Sequence, residues 1–297
     1  MAKKILVAGA LLLLLVAQPM SALPADGPRE LALQAEKLLD EGSRLAQADK
    51  LAEAAAVFLQ AAGIYERLLK DNPGDSSSRQ NYLYSLGERG MIYVRKGQPA
   101  LKEKKFALAA DLYAAAVAAY DLALKKLPAE KNFQVNRRYC RHEWGIAQFQ
   151  AKLATKGPAY AFQLAGLNGA PVNLAALKNK VVVLTFSAGW CPSCRETMPK
   201  LAEAQKRFIG KPVQVVVLAL DRVEGWKKGS SEEKSLAEAK ETGLPFAWAD
   251  EETFFQYGSP DSIPRIFLID RSGRIAAQVA YEDREPDRLA SRIAALL

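Results

Sequence analysis
Histidine occurs once and cysteine three times in the 297 residues of this chain. A zinc site of the usual kind needs about four nitrogen or sulfur ligands. It would have to draw on Cys140, His142, Cys191 and Cys194 together, across two regions of different texture. A disulfide-stapled scaffold is excluded for want of cysteines, so stability must come from packing. Long apolar runs are scarce too, and the run Ile5–Ala17 falls short of the ~18 residues of a spanning helix. No stripe of Arg and Lys is interleaved with aromatics. The net charge of +8 therefore gives little reason to expect a nucleic-acid partner, and an acidic protein or a membrane surface fits it better.

What is present begins with "MAKKILVAGALLLLLVAQPMSALPA": two lysines, an apolar run and small residues suited to cleavage. This pattern is that of a secretory signal peptide over residues 1–22, with cleavage as late as residue 25. The expected location is periplasmic or otherwise exported, the alternative being an uncleaved segment that tethers the chain to a membrane. The charge excess lies in the first half: residues 26–156 carry 21 basic and 16 acidic side chains, against 18 and 17 for residues 157–297.

Two textures divide the remainder. From Arg29 to about Leu153 the chain is rich in Ala, Leu, Tyr and Lys, with apolar residues three and four apart and almost no β-branched runs, which predicts an all-α domain over residues 27–153. "AAGIYERLLKDNP" and "AVAAYDLALKKLP" align Ala61 with Ala116, Tyr65 with Tyr120, Leu69 with Leu124 and Lys70 with Lys125, and Pro73 and Pro128 each close a helix. This suggests an internal repeat that looks like the second helix of a tetratricopeptide hairpin, although the prolines lie farther apart than the ~34 residues of that repeat. The segment "RKGQPALKEKKF" is expected to absorb part of the surplus as an extended turn. A plain antiparallel bundle is the alternative. After "ATKGP", short β-branched runs alternate with helical patterns. "VVVLTF", "VQVVVLAL", "RIFLID" and "RIAAQVA" read as strands, and about 194–209, 231–242 and 286–296 as helices. An α/β sandwich is expected, with parallel early strands covered on both faces and an antiparallel hairpin at the end.

Cys191 and Cys194 sit where the strand of "LTFSAGW" runs into the helix of "CPSCRETMPKLAEAQKRF". Unpaired N–H groups and the positive helix end favour a thiolate at Cys191 over Cys194, and Pro192 suits a first helical turn. The pair is thus read as nucleophile and resolving thiol. A zinc site and a structural disulfide compete with that reading, the latter weakened because so short a loop constrains the unfolded chain little.

The lead-in "AFQLAGLNGAPVNLAALKNKVVVLTFSAGWCPSCRETMP", the cysteine pair, "SIPRIFLID" and the "SGRI" hairpin resemble the TlpA-like branch of the thioredoxin superfamily. The resemblance spans nearly all of residues 158–297 and implies a thioredoxin-like (redoxin) domain over residues 157–297. It implies an exported thiol–disulfide oxidoreductase, foremost a protein-disulfide reductase, with Cys191 and Cys194 catalytic. Ile263 and Pro264 match the cis-proline loop that meets the substrate, and Trp190 shields the pair. Expected partners are a client protein with a disulfide or thiols and a membrane electron donor, with the helical domain as a protein-binding surface. No cofactor and no metal is implied. The alternative is a binding or assembly protein whose helical domain holds a client beside a redox domain of low turnover. Peroxidase chemistry is disfavoured, because Ala188 and Leu184 stand where peroxiredoxins carry threonine and proline.

Two departures leave the proton-transfer group open: Thr185 replaces the buried acid of thioredoxins, and Thr197 replaces the TlpA-like glutamate. Helix phase turns the neighbouring Glu196 towards solvent, leaving water or Asp221 for the role. Asp221 reads equally well as a loop or cap residue. Arg265 is expected either to select an acidic substrate segment or to be solvated. Cys140 reads as a buried small residue, and "LKEKKF" at 101–106 as a solvated helix face.

Overall fold
The computed structural model describes residues 27–297, so the expected signal peptide lies outside the described residues. Five helices come first: α1 (Pro28–Gln47), α2 (Leu51–Asp71), α3 (Ser76–Lys102), α4 (Phe106–Lys126) and α5 (Lys131–Ala154). Pro73 and Pro128 fall in the turns after α2 and α4, as their missing N–H groups require. Among the described residues α4 is long and apolar enough to cross a membrane by length and composition, yet its Tyr113, Ala116, Tyr120 and Ala123 are fully buried.

The repeat extends well beyond the residues that the sequence aligned. Gly42 of α1 faces the ring of Phe58 in α2, and 55 residues later Gly97 of α3 faces the ring of Tyr113 in α4; a Cβ on either glycine would come 3.0 Å from that ring. Tyr84 packs edge-on against Phe58 at 6.4 Å, and Tyr139 against Tyr113 at 6.4 Å. The tight turns repeat too. Asp49 and Lys104 have φ of 63° and 59°, and the following Lys50 and Lys105 donate N–H to the carbonyls of Leu45 and Ala100.

One expectation is corrected here. "RKGQPALKEKKF" is not an extended turn, because α3 runs on through Pro99 to Lys102 and the turn is confined to residues 103–105. Pro99 stands near the end of its helix, where one lost N–H bond to the preceding turn is tolerable. Residues 101–106 are therefore not one helix face: Leu101 and Lys102 end α3, residues 103–105 form the solvated turn, and Phe106 opens α4.

The chain divides into two compact units, the first ending at Glu88 and the second running from Arg89 to Leu297. The second unit holds the sheet. A short hairpin of β1 (Gln163–Leu164) and β2 (Val172–Asn173) precedes a 3-10 turn at Leu174–Leu177 and the central strand β3 (Val181–Ser187). Then follow α6 (Pro192–Arg207), β4 (Val213–Ala219), α7 (Ser231–Thr242), β5 (Phe246–Trp248), α8 (Glu251–Gln256), β6 (Arg265–Ile269), β7 (Ile275–Gln278), a 3-10 turn at Tyr281–Arg284 and α9 (Pro286–Ala294). The strand order is β5-β4-β3-β6-β7. β3, β4 and β5 are parallel, while β6 and β7 are antiparallel additions, as expected for parallel early strands and a closing hairpin. This is the thioredoxin fold, preceded by an all-α region in a multidomain chain.

The apolar strands have two covered faces. Val182, Leu184 and Phe186 join Val216, Leu218 and Phe267 in one core, while Val181 and Val183 join Val213, Val215 and Leu268 in the other. Alternate side chains point to opposite faces, so a run of β-branched residues serves both. α5 belongs to the first of these cores: Phe149 is buried there, 4.7 Å from the Phe267 ring and 5.8 Å from that of Tyr257. No loose tether follows α5. Ile275 donates to the Gly157 carbonyl, Ala159 to that of Gly273, and Pro158 bridges Arg274.

Gly145 explains how α5 comes so close. A Cβ there would lie 2.2 Å from the carbonyl oxygen of Phe255 in α8. Gly90, 55 residues earlier on α3, makes way in the same manner for Tyr120 of α4. Against α5, α8 thus takes the place that α4 takes against α3.

Candidate active site
The site forms where β3 ends and α6 begins. Cys191 is the N-cap of α6, and its Sγ accepts the N–H of Cys194 at 3.2 Å. Pro192 fills the first helical position, where a missing N–H costs nothing. Cys191 and Cys194 are joined in a disulfide with Cα atoms 5.3 Å apart, and both are buried. One turn of helix thus sets the spacing that a disulfide needs. Among the described residues, no group of three or more His, Cys, Asp or Glu side chains could hold a metal. Cys140 is fully buried on α5, and burial pushes its thiol up to about 12.

The Ile263–Pro264 peptide is cis, and its segment lies against the pair. The Ile263 carbonyl oxygen is 3.6 Å from Cys191 Sγ and accepts the Ser193 hydroxyl at 3.3 Å; that hydroxyl is also 3.4 Å from Cys191 Sγ. Pro264 is buried and Ile263 half-buried. Arg284 donates to the Pro264 carbonyl at 2.5 Å. The Arg265 guanidinium pairs with Asp261 at 2.5 Å and bonds the Ser262 hydroxyl at 2.9 Å. It braces the turn before the cis peptide. A cavity of about 170 Å³ adjoins this turn, lined in part by Phe149, Gln150, Asp261 and Arg265.

On the opposite flank, the indole N–H of Trp190 donates to the Trp226 carbonyl at 2.6 Å and the two rings stack with centroids 5.8 Å apart. Lys228 places its ammonium 3.5 Å from the Trp190 ring centroid. Asp221 takes a supporting part, accepting the Gly189 N–H at 3.0 Å and the Ser235 hydroxyl at 2.7 Å. Gly189 is required there, since a Cβ would lie 2.1 Å from the Ser231 carbonyl oxygen at the start of α7. Asp221 is therefore a loop brace with both carboxylate oxygens engaged.

Glu196 is exposed and Thr197 buried, as the helix phase requires, and the Thr197 hydroxyl donates to the Ser193 carbonyl at 2.7 Å. Thr185 is buried with no partner for its hydroxyl. Another carboxyl was not found by sequence reasoning. Glu238 on α7 is buried with both oxygens unpartnered. Burial, aided by Asp221 and Glu241 and opposed by Arg195, pushes it up to about 7. In "SLAEAKET" it reads as one more solvated charge, because nothing local reveals that α7 turns this face inward. Trp226 was missed as well; the usable signal was a tryptophan inside the polar, glycine-flanked "VEGWKKG".

Residues 152–296 match the Redoxin family model. That segment is a redoxin domain. The thiol–disulfide oxidoreductase ResA of Bacillus thuringiensis (strain Al Hakam) is 28% identical over 124 residues, which make 41% of this chain and 66% of that protein. Tryparedoxin of Trypanosoma brucei brucei is 44% identical over 54 residues, 18% of this chain and 38% of its own. Among solved structures, a thioredoxin-family thiol:disulfide interchange protein of Chlorobium tepidum TLS aligns at 25% identity and a TM-score of 0.41, covering 47% of this chain and 94% of that one. The chain thus spans just under two thirds of the ResA protein's length. The redoxin domain holds all five residues singled out by the sequence: Trp190, Cys191, Cys194, Ile263 and Pro264.

Proposed function
We propose that this protein is a thiol–disulfide oxidoreductase that reduces disulfides of a partner protein. The observation that carries the reading is a bonded Cys191–Cys194 pair at a helix start, with the Ile263 carbonyl 3.6 Å from the outer sulfur. In the reduced protein the N–H groups of the first turn of α6 favour the Cys191 thiolate. That thiolate attacks one sulfur of a client disulfide. The client S–S bond breaks, one client sulfur leaves and takes a proton, and a mixed disulfide forms at Cys191. Cys194, on losing its proton, attacks Cys191 Sγ and releases the second client thiol. Two electrons pass to the client, which takes up two protons, the one that Cys194 gives up and one from solvent, and the pair ends as the disulfide present in this structure. A dithiol donor must reduce it again, and a membrane protein suits an exported enzyme.

Pro192 and Ser193 supply no cation or histidine between the cysteines, which supports the reducing direction. Trp190, Ile263 and Pro264 are the residues proposed to meet the client. The helical region 27–153 is proposed as a tetratricopeptide-like module that recruits it, supported by Ala54-x-x-x-Phe58 and Ala109-x-x-x-Tyr113 at the matching positions of two repeats. The second reading, a client-holding protein of low turnover, draws on the same module. The two part in one assay: with dithiothreitol as donor, the protein should reduce insulin disulfides over many turnovers, whereas a holding protein would stop after about one equivalent.

A further inference from the structure
We propose that Arg138, on α5 and outside the segment that matches the redoxin model, is a positioning residue for the cysteine pair. The proposal rests on the redox reading above. The route begins in the connection from β4 to α7, residues 220–230. Leu220 donates to the Ser187 carbonyl at the end of β3, and beyond it the backbone bonds are local: Val223 to Leu220, Trp226 to Val223, Ser231 to Lys228. Gly225 and Gly229 both have positive φ, and Glu224, Lys227 and Lys228 are exposed. Such a segment keeps one conformation only where side chains tie it down. Asp221 anchors its start through Gly189 and Ser235. Arg222 adds an ion pair with Glu232 and lies over the Trp248 ring. The middle of the segment carries Trp226, whose carbonyl and ring hold Trp190, the neighbour of Cys191.

Arg138 fixes that middle. Its Nη1 donates to Glu224 Oε2 at 2.5 Å and to Glu251 Oε1 of α8 at 2.6 Å, and its Nη2 donates to the Glu224 backbone carbonyl at 2.9 Å. The side chain is about one-third exposed, so screening is incomplete. Without the guanidinium, two carboxylates would converge on an empty position and repel, moving Glu224 away from α8. Trp226 also contacts α8, with its ring 6.0 Å from that of Phe254, and would move with the segment. Trp190 would then lose both its hydrogen-bond acceptor and its stacking partner. A planar fork that grips a backbone carbonyl and two carboxylates is not replaceable by a lysine point charge.

Arg141 supplies the control. It lies on the same helix, pairs with Glu252 of α8 and stands 4.9 Å from the Phe255 ring centroid, so its ion pair and ring contact are to α8 and not to residues 220–230. The experiment compares full-length Arg138→Ala, Arg138→Lys and Arg141→Ala in two readouts. One is the near-ultraviolet circular dichroism of the Trp190–Trp226 pair. The other is the rate at which reduced protein is oxidised by oxidised glutathione. Arg138→Ala should lose most of the tryptophan signal and about tenfold in rate, Arg138→Lys should fall between, and Arg141→Ala should keep both within about twofold. If Arg138→Ala fails to fold, the lysine variant decides alone, by a reduced tryptophan signal and rate. Unchanged tryptophan signal in a folded Arg138 variant would overturn the proposal, as would an equal loss in Arg141→Ala, which would mean that general docking of α5 is at work. A wild-type protein inert to oxidised glutathione would contradict the redox reading instead, and the dichroism comparison would still judge Arg138.

Discussion
Two glycines of the helical region do unlike things. Gly97 on α3 leaves room for the ring of Tyr113, where a Cβ would lie 3.0 Å away and a shift of the ring by a few tenths of an ångström would suffice. Gly145 on α5 leaves room for the backbone of α8, which cannot shift in that way. The same device of a small residue under a close neighbour therefore builds a forgiving contact at Gly97 and an unforgiving one where α5 meets α8. Helical regions beside catalytic domains are readily pictured as separable beads. Here α5 supplies Phe149 to the core and Arg138 to the segment flanking the cysteines, so the last helix of the array is also part of the redox module.

The largest expected effect breaks that unforgiving contact. Gly145→Ala should gain about 1 kcal/mol of helix propensity yet lose stability on balance by about 3 kcal/mol, because a Cβ cannot coexist with the Phe255 carbonyl. Gly97→Ala, with the same gain and a ring that yields, should lie within about 1 kcal/mol of wild type. Urea melts of the two variants measure the difference, and equal midpoints would remove the distinction between the contacts.

A smaller effect of opposite sign concerns Glu238, which is buried in the redoxin domain without a partner. Its carboxyl is pushed up to about 7 from an ordinary value of 4.5. The folded state therefore holds this proton more tightly than the unfolded chain. Its ionisation costs nothing below about pH 4.5, and the cost grows as the pH rises to 7 and is complete above. Glu238→Gln should accordingly stabilise the protein on the order of 2 kcal/mol at pH 8 and leave it nearly unchanged at pH 4.5. Thermal melts at the two pH values measure this, and a pH-independent shift would mean that the carboxyl is not the strained group.

The sequence carried the central strands and the cysteine helix well, because β3 and β4 are unbroken β-branched runs and Cys191-Pro192 marks a helix start by local chemistry alone. β5 and α8 were missed: three and six residues are too few to establish a period, and "FAWADEETFFQ" mixes charge with aromatics. Pro99 misled because a proline normally ends a helix, and only its place in the last turn let α3 continue. Of the site, the cysteines and the Ile263–Pro264 segment were legible. Arg138, Trp226 and Glu238 were not, since each acts through an element distant in sequence. The ion pair of Arg265 with Asp261 was not read either, its partner being four residues back across a turn.

The account rests on unequal sulfurs, with Cys191 at the cap and Cys194 one turn inside, and it is tested most directly by trapping. Each variant, Cys191→Ser and Cys194→Ser, is reduced, mixed with a disulfide-bearing protein substrate, quenched with acid and resolved without reductant. Cys194→Ser should accumulate a mixed disulfide through Cys191 that dithiothreitol dissolves, because attack proceeds and resolution does not, while Cys191→Ser should accumulate about tenfold less or none. Equal trapping by the two variants would contradict the assignment of attack to Cys191, and no trapping by either would contradict disulfide exchange at this pair.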